Sequence, residues 1–143
     1  MDDYTDFDIS AYPDAREAMA KPVSVKVRFA HGAGIQQTLE GPVPYCSGDA
    51  LVVGNAGEQW PVGRERFLQA YIPQPLIDAG CDGEYIKRPA HVWVLQIREA
   101  FCVQLKDRNA MLYGAPGDWL VQHEHGDTGI VRDAIFPSLY ELL

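Results

Sequence analysis

The chain predicts an α+β, β-rich fold, with two tandem ββββ(α) repeats packed as one pseudo-twofold barrel- or sandwich-like domain. Three observations carry this expectation. From Val23 to Phe29 apolar and polar residues alternate without a fault, the period of a half-buried strand. A Gly-Asp pair heads two matching segments: Gly48-Asp49-Ala50-Leu51-Val52-Val53 and Gly117-Asp118-Trp119-Leu120-Val121-Gln122. The 143 residues are 47% hydrophobic and 22% charged, enough for one globular domain or two very small ones.

The elements follow in order. Residues 1–20 form an acidic N-terminal arm that scatters Tyr4, Phe7 and Tyr12 among its acids; Pro13-Asp14 suits a first helical turn and Ala15 to Ala20 holds good helix formers, so a short helix is expected there and the residues before it are expected as a frayed tail. Repeat 1 spans 21–75. It opens on Lys21-Pro22, since proline is tolerated at the first residue of a strand. The strand Val23–Phe29 follows, then a break at His31-Gly32-Ala33-Gly34 and a returning arm over Ile35–Leu39. Gly48-Asp49 makes a turn, in which glycine supplies backbone freedom and the carboxylate accepts nearby backbone N–H groups. A hairpin runs over Ala50–Val53 and Glu58–Val62, and a helical turn places Phe67 and Tyr71 four apart on one face. A linker covers 76–85.

Repeat 2 spans 86–143 and repeats the series. Arg88-Pro89 leads into strands Val92–Ile97 and Phe101–Leu105, then the turn Gly117-Asp118, a hairpin over Trp119–Gln122 and Thr128–Val131, and the pair Phe136 and Tyr140. At a constant offset of 69, eight of 24 aligned positions from Gly48 to Tyr71 are identical without a gap, where average residue frequencies give roughly one or two. A unit of this size buries little surface alone, so the two copies are expected to share a core. Whether they pair within one chain or exchange between two, as a homodimer would, stays open.

Charge narrows the function classes. The formal net charge is −8, and the first 20 residues hold six acids against one base, a net −5. Without a long run of Lys or Arg the remainder lacks the electrostatic footprint of nucleic-acid binding, so no nucleic acid is expected. No apolar run is long enough to span a bilayer and the first residues are acidic, which predicts no membrane partner, no signal peptide and a cytoplasmic location. Cys46, Cys81 and Cys102 are odd in number and far apart, which predicts reduced, mostly buried thiols.

Candidates for chemistry are few. His123-Glu124-His125-Gly126-Asp127 is the densest set of metal-ligand types: His123 and His125 share a strand face, and Asp127 could complete a three-ligand site. The structural reading, a polar hairpin tip, is favoured because Gly54 and Ala56 stand at the matching places of repeat 1. His31-Gly32-Ala33-Gly34 looks like an esterase oxyanion loop but lacks its GxSxG partner, and Tyr45-Cys46-Ser47-Gly48 offers a thiol without an identifiable base. Asp49 and Asp118 read as turn-capping carboxylates rather than a catalytic pair. No catalytic residue and no cofactor are predicted. Trp60, Arg64, Arg88, Trp119 and Arg132 are the candidates for a recognition surface, joined by Arg66 and Lys87 if the basic side chains converge on an anion; for the tryptophans the core reading is favoured, and Trp93 stands in the first strand of repeat 2.

Tyr85-Ile86-Lys87-Arg88-Pro89, Val92-Trp93-Val94-Leu95-Gln96, Pro116-Gly117-Asp118-Trp119-Leu120-Val121 and Phe136-Pro137-Ser138-Leu139-Tyr140 carry a resemblance over residues 85–143. This half resembles the small bacterial and phage proteins of the PGDYG family, with Trp119 and Leu120 in place of the motif's Tyr and second Gly. The resemblance implies a bacterial or phage origin and no activity, cofactor or catalytic residue. The sequence thus predicts a non-enzymatic binding module that recognises a protein or a small anionic ligand. The alternative is a small metal-dependent hydrolase centred on His123, His125 and Asp127.

Overall fold

The computed structural model describes residues 1–124 and 127–143. The protein is β-rich, 49% strand and 12% helix, in several sheets without a closed barrel among the described residues. Contacts divide the chain into a central unit, residues 22–88, and a terminal unit, residues 1–21 with 89–143. The chain passes from one to the other at Lys21–Pro22 and at Arg88–Pro89.

In the central unit five strands form one antiparallel sheet: β3 (Ser24–Phe29), β6 (Ala50–Val53), β7 (Gln59–Val62), β8 (Tyr71–Pro73) and β9 (Gly83–Lys87), in the order β7-β6-β3-β9-β8. Alternation along β3 turns Val25, Val27 and Phe29 inward onto Ala50, Val52, Tyr85 and the short helix α1 (Arg64–Ala70). Phe67 of that helix is fully buried and stacks on Tyr71 at 4.5 Å, the expected one-face pair. A separate two-stranded sheet is formed by β4 (Gly34–Thr38) and β5 (Gly41–Tyr45).

The terminal unit carries a sheet in the order β14-β13-β10-β2-β15, from β2 (Arg16–Ala20), β10 (His91–Gln96), β13 (Trp119–Glu124), β14 (Asp127–Val131) and β15 (Tyr140–Leu142). Ala18, Val92, Val94, Trp119 and Val121 pack there with Phe136 of α2 (Phe136–Leu139). Phe136 stacks on Trp119 at 4.0 Å and on Tyr140 at 5.4 Å. A three-stranded sheet adds β1 (Asp2–Asp3), β11 (Phe101–Leu105) and β12 (Ala110–Gly114), in the order β1-β11-β12.

Both Gly-Asp pairs fold as expected. Gly48 and Gly117 have φ of +90° and +96°, a conformation glycine adopts without steric cost. Asp49 accepts from the Cys46 N–H at 2.9 Å and Asp118 from the Ala115 N–H at 3.0 Å. Flanking bonds also agree: Gly48 N–H donates to Ala30 O and Gly117 N–H to Ile97 O, both at 2.7 Å.

Four expectations are corrected. Residues 16–20 form β2, not a helix. Their helix propensity is overridden because Ala18 and Ala20 are small enough to fill the buried side of a strand between β10 and β15. The preceding arm is not frayed, since β1 pairs with β11 in parallel and Ile9 is fully buried. Residues 83–85, expected in a linker, belong to β9, where Tyr85 is fully buried. The arms over Ile35–Leu39 and Phe101–Leu105 return on β5 and β12, not on the strands before them.

Candidate functional site

The inward turn of Val25, Val27 and Phe29 sends Lys26 and Arg28 to the other face of the central sheet, where both are exposed. Register sets their neighbours. Lys26 lies opposite Val53 of β6 and Glu84 of β9, and Arg28 opposite Leu51; β7 adds Gln59 beyond Val53 and Pro61 beyond Leu51. From the β4–β5 hairpin Gln36 donates its Nε2 proton to Gln59 Oε1 at 2.7 Å. Lys26, Arg28, Gln36, Leu51, Val53 and Gln59 thereby line an open groove of about 320 Å³.

The groove's chemistry follows from those side chains. Two cations two residues apart on one strand face stand ~7 Å from each other and repel; Glu84, opposite Lys26, offsets part of that charge, and an anion near Arg28 is favoured most. Leu51 and Val53 provide an apolar floor, and the Gln36–Gln59 amide pair a polar rim with further hydrogen-bonding capacity.

The residues expected to recognise a ligand are distributed otherwise. Trp60, Arg64 and Arg88 belong to the central unit, Trp119 and Arg132 to the terminal unit. Trp60 packs partly buried against the central core. The Arg64 guanidinium lies over the Phe29 ring at 4.7 Å, and Lys87 sits 5.5 Å from the Tyr71 ring, where burial lowers its ammonium pKa. Arg66, Arg88 and Arg132 are exposed. Trp119 is buried under Phe136 and donates its indole N–H to Asp133 at 2.9 Å, so its ring serves the core.

His123 is exposed on β13 and Asp127 begins β14; His125, the middle of the candidate metal set, lies outside the described residues. Among the described residues no group of three His, Cys, Asp or Glu side chains is placed to hold a metal ion. The expectation of mostly buried thiols is corrected: Cys46 and Cys81 are exposed, at a turn and in a loop, and Cys102 alone of the three is buried. Burial, then the Asp3 carboxylate, push the Cys102 thiol pKa up, which disfavours its nucleophilic thiolate.

Lys26, Arg28, Gln36 and Gln59 are absent from the candidates drawn from the sequence. Their signal was present: the alternation that marks Val25 and Val27 as core marks Lys26 and Arg28 as one outward-facing pair. What no local pattern gives is that β6, β7 and the β4–β5 hairpin surround that pair.

A family model for the PGDYG protein matches residues 41–141. The match covers both Gly-Asp turns and extends well upstream of the half in which the resemblance was read. No curated protein and no solved structure matches the chain. The chain belongs to the PGDYG family.

Proposed function

We propose that this PGDYG protein is a non-enzymatic binding module whose site is the groove over β3, β6 and β7, and that the groove takes an anionic group. The observation that carries the reading is the exposed Lys26 and Arg28 pair above an apolar floor. Paired cations beside apolar contact area suit a carboxylate- or phosphate-bearing ligand better than a neutral one. The reading also takes the two sheets as copies of one duplicated unit. Their element order, turn hydrogen bonds and ladder registers support it: Trp93 lies between Gln122 and Glu17 as Lys26 lies between Val53 and Glu84. A duplicated scaffold lets one copy diverge for recognition while the other retains the core.

The test is amide-shift mapping of the isotope-labelled protein with inorganic phosphate, citrate and a tetra-aspartate peptide. At least one of these anions is expected to move the amides of residues 26–28, 51–53 and 59, with the response lost in Lys26→Ala/Arg28→Ala. Shifts confined to other residues, or a response unchanged in the double variant, would discard the groove as the site.

A further inference from the structure

We infer that the occupant of the groove is an extended acidic segment of a partner polypeptide, added as a strand along the open edge of β4 and laid across Lys26 and Arg28. The inference rests on the binding-module reading above and names its ligand class. It starts from what the terminal unit does with its own first residues. Asp2 and Asp3 pair with Phe101 and Cys102 of β11, and the Tyr4 N–H donates to Cys102 O at 2.9 Å. Gln104 N–H donates to Thr5 Oγ1 at 2.8 Å, and Asp6 ion-pairs with Lys106. The segment then crosses to the sheet face. There Ile9 N–H donates to Gln122 Oε1 at 2.9 Å, Gln122 Nε2 donates to Asp8 Oδ1 at 3.0 Å, and the Ile9 side chain is fully buried. One acidic segment, a strand at Asp2–Asp3 and a 3-10 helix at Ile9–Ala11, thus takes both a hairpin edge and the adjoining sheet face.

Among the described residues the central unit has the same hairpin and the same ladder with no such segment. Its hairpin sheet holds β4 and β5 alone, where the terminal one holds β1, β11 and β12. Register matches Ile35 and Gln37 to Cys102 and Gln104, counting from the hairpin ends. Pro42 and Pro44 of β5 have no N–H for a ladder bond, so Gln37 and Ile35 opposite them turn their backbone groups away from β5, to the outer edge, where the Gln36 Nε2 group donates to Gln37 O at 3.1 Å and an added strand would replace that donor. The two prolines protect the far edge of β5. The edge of β4, Gly34-Ile35-Gln36-Gln37-Thr38, carries none of the lysines or prolines that keep other strands off, and Ile35 is 66% exposed. Alongside it the positions of Trp93 and Leu95 are taken by Lys26 and Arg28, so the complementary segment carries acids there. Backbone bonds along the edge supply affinity and the two cations select charge.

The experiment titrates a synthetic peptide of residues 1–12 into the full-length protein and reads affinity and amide shifts. Binding is expected with shifts at residues 34–38 and 26–28. Gln37→Pro, which removes one edge N–H at a position facing away from the β4–β5 ladder, is expected to weaken it about tenfold. Ile35→Lys, which leaves that N–H in place and charges the edge, serves as a second variant if the proline disturbs folding. Weak binding lost in Lys26→Glu/Arg28→Glu but unchanged in Gln37→Pro and Ile35→Lys would overturn strand addition and leave the anion groove standing. Absence of binding, shifts confined to Cys102 and Gln104, or a concentration-dependent dimer that protects the β4 edge would each overturn the inference; phosphate and citrate then decide the groove separately.

Discussion

The outer faces of the two five-stranded sheets have the same ladder register and are covered to different extents. In the terminal unit Leu95, Leu120 and Gln122 are buried with Ile9 seated on that side, and Trp93 stands where Lys26 does in the central unit. In the central unit Lys26, Arg28 and Val53, at the positions of Trp93, Leu95 and Gln122, are exposed, while Leu51, at the position of Leu120, is buried. The difference teaches that strand order and turn chemistry specify a scaffold, whereas a dozen residues at one end of the chain decide which face becomes core. Side chains follow that decision: apolar where a segment lies on them, basic where the face is open.

Removing the cover has the largest expected effect. Ile9→Ala should cost about 3 kcal/mol in guanidinium unfolding, since it empties a fully enclosed site. Val53→Ala, at the matching ladder position of Gln122 on the open face, should cost less than about 1 kcal/mol. Near-equal losses would mean that the two faces are equally covered.

The turns should show the opposite, a likeness. Asp49→Ala and Asp118→Ala each remove an acceptor for a backbone N–H, and each should cost about 1–2 kcal/mol. A loss in one alone would break the equivalence of the two Gly-Asp turns.

A smaller effect lies in alkaline solution. Burial, with Asp127 adding to it, pushes the Tyr140 hydroxyl up to about 12. Its folded pKa therefore exceeds the ordinary value of 10.0, and the stability it contributes is full below pH 10 and lost as pH rises toward 12. Wild type should lose about 1–2 kcal/mol more than Tyr140→Phe across that window. Identical pH profiles would show that the hydroxyl titrates like one in water.

The smallest stability effect is expected for Lys26→Glu/Arg28→Glu. Both side chains project from an exposed face, so the unfolding midpoint should stay within about 0.5 kcal/mol of wild type even where anion binding is lost. A large destabilisation would assign the pair a structural role instead.

Much of the fold was legible because its signals are local. The alternation of Val23–Phe29, the two Gly-Asp turns, the hairpin over Ala50–Val62 and the stacked pairs Phe67 with Tyr71 and Phe136 with Tyr140 each depend on residues a few positions apart. β2 was hidden because Arg16-Glu17-Ala18-Met19-Ala20 reads as helix by propensity, and β5 because two prolines argue against a central strand yet suit an edge. Of the site, Lys26 and Arg28 were legible as a polar face. Trp119 was set among the candidate contacts, where its stack on Phe136 and its bond to Asp133 place it in the core.

By itself the sequence determined the conformational choices made among near neighbours: where glycine permits a positive φ, which side of β3 is apolar, which aromatic rings share a helical face. Tertiary structure alone decided the partners. The strand before Lys21-Pro22 joins the sheet of the terminal unit, the strand before Arg88-Pro89 joins that of the central unit, and Ile9 lies on one sheet rather than the other. Turn and rotamer preferences act over a few residues, whereas ladder bonds and burial act between segments far apart in the chain. Both Lys/Arg-Pro crossings carry the same local pattern, so only the burial of Ala18 and Tyr85 in their sheets selects where each strand goes.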